Sequence, residues 1–170
     1  MTIKIHLSYG IITALVIILL SVIFYLLNLS QERWTGYIST LILMIGVIMS
    51  WGAYAKNTEG ASRINIFANG FRTTAAITVI SFLFTVIFIY VFPDIKEQEV
   101  EQARQKMEAQ NQSETDIQRA VDITRKMFLT LVIGFSLFFN IIFGLIASFI
   151  GTGIGRKFIK KKTDIDFDMK

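Results

Sequence analysis

At 170 residues the chain has room for one domain. Hydrophobic residues make up 53% of it and charged residues 18%, a balance that puts a membrane protein ahead of a soluble one. Cysteine is absent, which excludes disulfides, thiolate chemistry and cysteine-ligated metals, and a single histidine and a single proline narrow the chemistry further.

The apolar residues fall into four runs, and the pattern predicts an all-α membrane protein with four transmembrane helices. The first run covers residues 7–29, after Lys4 and His6. It exceeds the ~7–15 residues of a signal-peptide core and no small-residue cleavage pattern follows it, so it is expected to stay as a span. Residues 28–34 read as a short polar turn. The second run, 36–55, has Trp34 and Tyr37 at one end and Trp51 and Tyr54 at the other, where amphipathic rings favour the membrane–water boundary. The basic segment 56–72 follows, and its Ile64, Ile66, Phe67 and Phe71 predict a short helix along the surface. The third run covers 73–92 and ends at Pro93, which suits the first turn of a new helix. The fourth, 127–155, has no charge and no proline and is longer than the ~20 residues a spanning helix needs.

Residues 94–126 are the one long water-soluble piece between spans. Ser113 with Asp116 three residues on has the spacing of a capping box, so the segment divides at residues 110–113. Val100, Ala103 and Met107 follow helical spacing before the break; Ile117, Val121, Thr124 and Phe128 follow it afterwards. The expectation is an antiparallel helical hairpin between spans three and four, on the extracytoplasmic side. Its arms, at 1.5 Å per residue, would reach ~20–25 Å out of the membrane. It carries eight acidic and six basic side chains, a mixture that reads first as solvated helix faces.

Small or polar residues recur every fourth position in span four: Ser136, Asn140, Gly144, Ser148 and Thr152. Residues four apart lie nearly one above another on a helix, so these five form one stripe. Span three offers a matching edge in Thr74, Thr78, Ser81 and Thr85. Both stripes are expected to form a helix-packing seam, because small residues let backbones approach and hydroxyl or amide groups bond across helices. Asn140 is singled out, since an amide in hydrocarbon has to find a partner in protein. A second ridge, Ala147, Gly151 and Gly155, is expected to be exposed and to offer a surface for another copy.

Four spans put both termini on one side, with ten basic residues against seven on the other. The positive-inside rule makes that side the cytoplasm and leaves the 94–126 hairpin periplasmic. In the tail, 156–170, the cluster Arg156, Lys157, Lys160, Lys161 and Lys162 reads as a lipid headgroup anchor. The alternating Asp164, Asp166 and Asp168 after it lack the glycine and distal glutamate of a calcium loop, and a disordered end is expected.

The features Lys4, Tyr9-Gly10, the segment 60–71, Pro93-Asp94 after an aromatic span, and a charged insertion before a Gly-containing last span with a basic tail occur together. With them the chain resembles the uncharacterised bacterial membrane proteins, mostly of Bacteroidota, grouped as domain of unknown function 4199. The resemblance covers nearly the whole chain. It implies a four-helix membrane domain and a bacterial inner-membrane location, and it implies no activity.

Chemistry finds little purchase in these residues. Gly151-Thr152-Gly153-Ile154-Gly155 has the look of a phosphate loop, but it follows a long apolar helix whose amides are already bonded. None of the four apolar runs contains Asp, Glu, Lys, Arg or His, which argues against proton relays, ion-coupled carriers, intramembrane proteases and metal-dependent catalysis. His6 reads as an interfacial polar residue. The expectation is no enzyme, no cofactor and no nucleic-acid partner. Two functions remain: a structural or accessory subunit acting by interaction, with membrane lipids, a membrane protein or a second copy as partner, and a passive small-molecule conduit or lipid-handling protein.

Overall fold

The chain is described by a computed structural model that covers residues 4–30, 32–58 and 61–168, the side chains of Arg33 and of residues 154–168 excepted. Among the described residues there are five helices and no strand: α1 Ile5–Leu26, α2 Arg33–Asn57, α3 Arg63–Val91, α4 Asp94–Ala109 and α5 Glu114–Asp168. Four of them are long and apolar enough to cross a membrane, with spans at Ile5–Leu26, Trp34–Asn57, Arg63–Val91 and Glu114–Gly153. Their outward faces carry Ile12, Leu19, Leu41, Ile87 and Phe149, all largely exposed, as a lipid-facing helix requires.

Asparagine sets two of the helix ends. Among the described residues Asn28 and Asn111 are the non-glycine residues with positive φ, 55° and 54°, a conformation their short polar side chains tolerate. After α1 the Leu29 N–H donates to Phe24 O and the Asn28 N–H to Tyr25 O. After α4 the Gln112 and Asn111 N–H groups make the same two bonds to Met107 O and Glu108 O. Each is a Schellman closure that satisfies orphan carbonyls and turns the chain.

By its contacts the chain divides into two units: Met1–Ser81 with Phe138–Lys170, and Phe82–Leu137. In the first, α1, α2, α3 and α5 each send residues into one core of Ala14, Leu43, Val47, Ile77 and Ala147. Ile17, Met44, Ile48, Ile80 and Phe143 surround it. Ala14 and Ala147 are the small members of this core, and Leu43, Val47 and Ile77 the large ones. Gly10 lies against Ala76, a Cβ placed on it falling 2.6 Å from the alanine Cβ, and Gly46 lies against Thr13. In the second unit α4 and the start of α5 bury Val100, Ile117 and Val121 together, with Met107 against them. Arg125 donates to Glu97 at 2.9 Å, and Arg104 to Glu108 at 2.8 Å. Ser113 Oγ accepts the Asp116 N–H at 3.2 Å and donates to the Asp116 carboxylate at 2.6 Å. The aspartate thus closes the box on the serine hydroxyl, where a longer glutamate side chain would reach back to the backbone N–H.

Three expectations change. The segment 56–72 contains no separate surface helix: α3 is continuous from Arg63, with Ser62 Oγ accepting the Asn65 N–H at 3.2 Å. Nothing in the sequence between Ser62 and Val91 interrupts it. The tail is helical as far as Asp168, since after Gly155 no glycine or proline stops the helix. Trp51, at the end of α2, turns its ring to protein, being 4% exposed and packed with Ala61 and Ile66. Of the ridge Ala147, Gly151 and Gly155, Ala147 lies in the core and Gly151 against the Trp51 indole, so these two offer no surface for a second copy, while the surroundings of Gly155 lie outside the described set.

Candidate functional site

The polar groups between the spans collect in the first unit. Asn69 Nδ2 donates to Ser50 Oγ at 3.0 Å, and Ser50 and Thr73 hydroxyls meet at 2.6 Å. Thr73 Oγ1 donates to Asn69 O at 2.9 Å, which commits its proton and makes Ser50 the donor between the two hydroxyls. The result is a closed circuit: Asn69 amide to Ser50, Ser50 to Thr73, Thr73 to the Asn69 carbonyl. Ser50 and Thr73 are fully buried and Asn69 is 3% exposed. The circuit ties α2 to α3 through groups that are shielded from solvent.

Beside it runs the contact of α3 with α5. Gly70 lies on Ser148, a Cβ there falling 2.7 Å from Ser148 Oγ. One turn along, Gly144 lies on Thr74, whose methyl and hydroxyl occupy the space a Cβ would need. Phe67 and Phe149 flank the crossing with ring centroids 4.9 Å apart. Thr74 and Ser148 turn their hydroxyls to carbonyls of their own helices, at Gly70 and Gly144, so neither is left unmatched. On the far side Gly151 makes room for the indole of Trp51, whose buried Nε1 has no acceptor among the described residues.

The nine residues read as a seam therefore divide. Thr74, Gly144 and Ser148 meet at the crossing. Thr152 is half-buried and bonds the Phe149 carbonyl at 2.7 Å. Thr78 is 6% exposed and its hydroxyl has no partner among the described residues. Ser81 and Thr85 are half-buried. Asn140 is half-buried and shows no side-chain hydrogen bond among the described residues, while Ser136 is exposed. The headgroup-anchor residues Arg156, Lys157, Lys160, Lys161 and Lys162 have side chains outside the described set. Antiparallel register, with Gly70 on Ser148 and Thr74 on Gly144, brings Thr78 level with Asn140 on the next turn.

Ser50, Asn69 and Thr73 went unread in the sequence. A signal was present: Ile66, Asn69, Gly70, Thr73, Thr74, Ile77 and Thr78 form one buried face at helical spacing. Starting the third span at residue 73 cut that face in two and left Asn69 in a surface segment.

The unmatched hydroxyl gives a test by sign. Thr78→Val keeps the shape and removes a buried polar group, and it is expected to raise the unfolding midpoint in mild detergent by a few degrees, for a gain of ~1 kcal/mol. A lowered midpoint, abolished in an Asn140→Leu background, would mean that the hydroxyl and the amide are bonded.

Chemically the site offers hydroxyls, amides and one indole, and no titratable side chain. Among the described residues no group of three or more His, Asp or Glu is placed to hold a metal ion. Residues 8–157, which include the polar circuit and the crossing, match the family model described as Protein of unknown function (DUF4199). The chain belongs to that family. No curated protein and no solved structure matches it. The DUF4199 match begins two residues before Gly10 and reaches all four apolar helices, the first of them from residue 8 onward, so the small-residue contacts lie inside the family domain.

Proposed function

We propose that this DUF4199 protein is a non-enzymatic structural or accessory subunit of the bacterial inner membrane that works by interaction. In this reading the four apolar helices form a membrane-embedded bundle with both termini in the cytoplasm. Residues 94–126 stand in the periplasm as an antiparallel helical hairpin. The observation that carries it is the direct contact of α3 with α5 at Gly70–Ser148 and Thr74–Gly144. A seam in which a Cβ finds no room leaves no path for a permeant at those two levels, and the Ser50–Asn69–Thr73 circuit uses both hydroxyl protons and one Asn69 N–H internally. With Ala147 and Gly151 turned inward, a second copy or a membrane-protein partner would engage the hairpin or the outer face of α5. The basic excess near residues 56–72 and 156–162 supports the orientation.

A conduit or lipid-handling role draws support from a different place, the Thr78 hydroxyl and Asn140 amide, where a small polar guest would find partners. Purification of the whole chain in mild detergent, with mass spectrometry of what co-elutes, separates the readings. A stoichiometric membrane-protein partner is expected; abundant lipid with no protein would favour the alternative. A reporter fused after Lys170 should be active only in the cytoplasm, and activity only outside it would reverse the topology.

A further inference from the structure

Lys4, His6 and Arg72 come together at one edge of the first unit without an acidic partner among the described side chains. The contact of Gly10 with Ala76, with the Thr73 carbonyl 3.4 Å from a Cβ on Gly10, fixes how α1 lies on α3. One turn before Gly10 is His6, and one turn before Ala76 is Arg72, so the same contact sets these two side by side. His6 lies within electrostatic reach of both Arg72 and Lys4. Lys4 and Arg72 are exposed, and neither forms an ion pair or hydrogen bond with any described side chain. Lys4 is also the N-cap of α1, which has no side-chain cap and no acidic residue in its first turn. The unscreened N–H groups of that turn add positive potential to the same spot.

What lies beside the cations decides what kind of anion they suit. Arg72 is nine residues into α3, ~14 Å along the axis from Arg63, so it sits on the flank of the helix and not at its tip. On the same face of α3 the next residues are Ala75 and Val79, and Val79 is 57% exposed. On α1 the exposed Leu7 and Ile11 begin directly after Lys4. Cations with apolar surface running away from them match an anion that carries hydrocarbon, and a free phosphate would use only the first half. We propose that Lys4 and Arg72, with His6 between them, hold the phosphate of an anionic phospholipid whose acyl chains lie along Leu7, Ile11 and Val79.

Each cation near a membrane surface contributes about 1 kcal/mol to attraction of anionic lipid, roughly fivefold in affinity. The full-length protein in mild detergent is titrated with phosphatidylglycerol, and with phosphatidylcholine as the neutral comparison, and bound lipid is read by native mass spectrometry. The Lys4→Gln/Arg72→Gln protein is expected to bind phosphatidylglycerol about 25-fold more weakly, with phosphatidylcholine unchanged. The Lys4→Arg/Arg72→Lys protein keeps the binding. A charge-matched Lys56→Gln/Arg63→Gln protein, altered on nearby exposed positions, should lose fivefold or less. An equal loss in that protein would reduce the effect to diffuse charge and overturn the site. Displacement of the lipid by 50 mM inorganic phosphate would also overturn it, in favour of a free-anion site. Should the double variant not fold, Lys4→Gln and Arg72→Gln singly are each expected to lose about fivefold, and no loss in either removes the proposal.

Discussion

Gly144→Ala is expected to lower stability by about 2 kcal/mol, although adding a methyl to a helical glycine ordinarily gains up to ~1 kcal/mol. The sign reverses because the new Cβ would overlap the methyl and hydroxyl of Thr74, both of which belong to a fully buried side chain. Either α3 and α5 move apart or Thr74 leaves its rotamer and breaks its bond to the Gly70 carbonyl. Separation is costly in lipid, since helix association there rests on close packing and hydrogen bonds, the surrounding acyl chains being as apolar as leucine. Gly134, on the same helix, has nothing within 4 Å of where its Cβ would go. Gly134→Ala should therefore be neutral or stabilising. Thermal unfolding of both variants in the same detergent checks the pair. The size-swapped Thr74→Gly/Gly144→Ala protein should recover most of the loss despite the added glycine. Equal effects at positions 134 and 144 would mean that the close approach does not hold the spans.

Asn69→Leu is expected to cost about 2 kcal/mol, within the range for removing one partner from a buried hydrogen-bonded group. Leucine removes the amide that Ser50 Oγ accepts from and leaves that fully buried oxygen with an unmatched lone pair. The Ser50–Thr73 bond and the Thr73 bond to the Asn69 carbonyl survive, because the latter uses the backbone. The circuit should behave as a unit. Asn69→Leu combined with Ser50→Ala and Thr73→Val, which removes every polar group, is expected to be milder than the single change. Strict additivity of the three single effects would show that the bonds act independently. Unfolding midpoints of the four proteins decide between these outcomes.

Much of this architecture is legible from spacing alone. Val100, Ile117 and Val121, marked by helical periodicity in a charged segment, are buried together in the second unit. Asn28 and Asn111 stand where the chain must turn, and they do so because asparagine enters the left-handed region at low cost. Thr74, Gly144 and Ser148 were legible as a stripe. Their neighbours on the same stripes were not all equal to them. Asn140 and Ser136 keep the fourfold spacing but are half-buried and exposed, since periodicity fixes a line on a helix and not how far along it a crossing helix stays in contact.

The amino-acid pattern by itself decided how many helices are long and apolar enough to span a membrane, where the charged insertion interrupts them, and that the apolar runs 7–29, 36–55, 73–92 and 127–155 hold no Asp, Glu, Lys, Arg or His. Which way each span turns was settled only when the helices met. In a water-soluble protein the apolar face points inward and announces itself. In lipid the outward face is as apolar as the core, so Ala147 and Gly151 could be read as a surface until α2, α3 and α5 were seen packed around them.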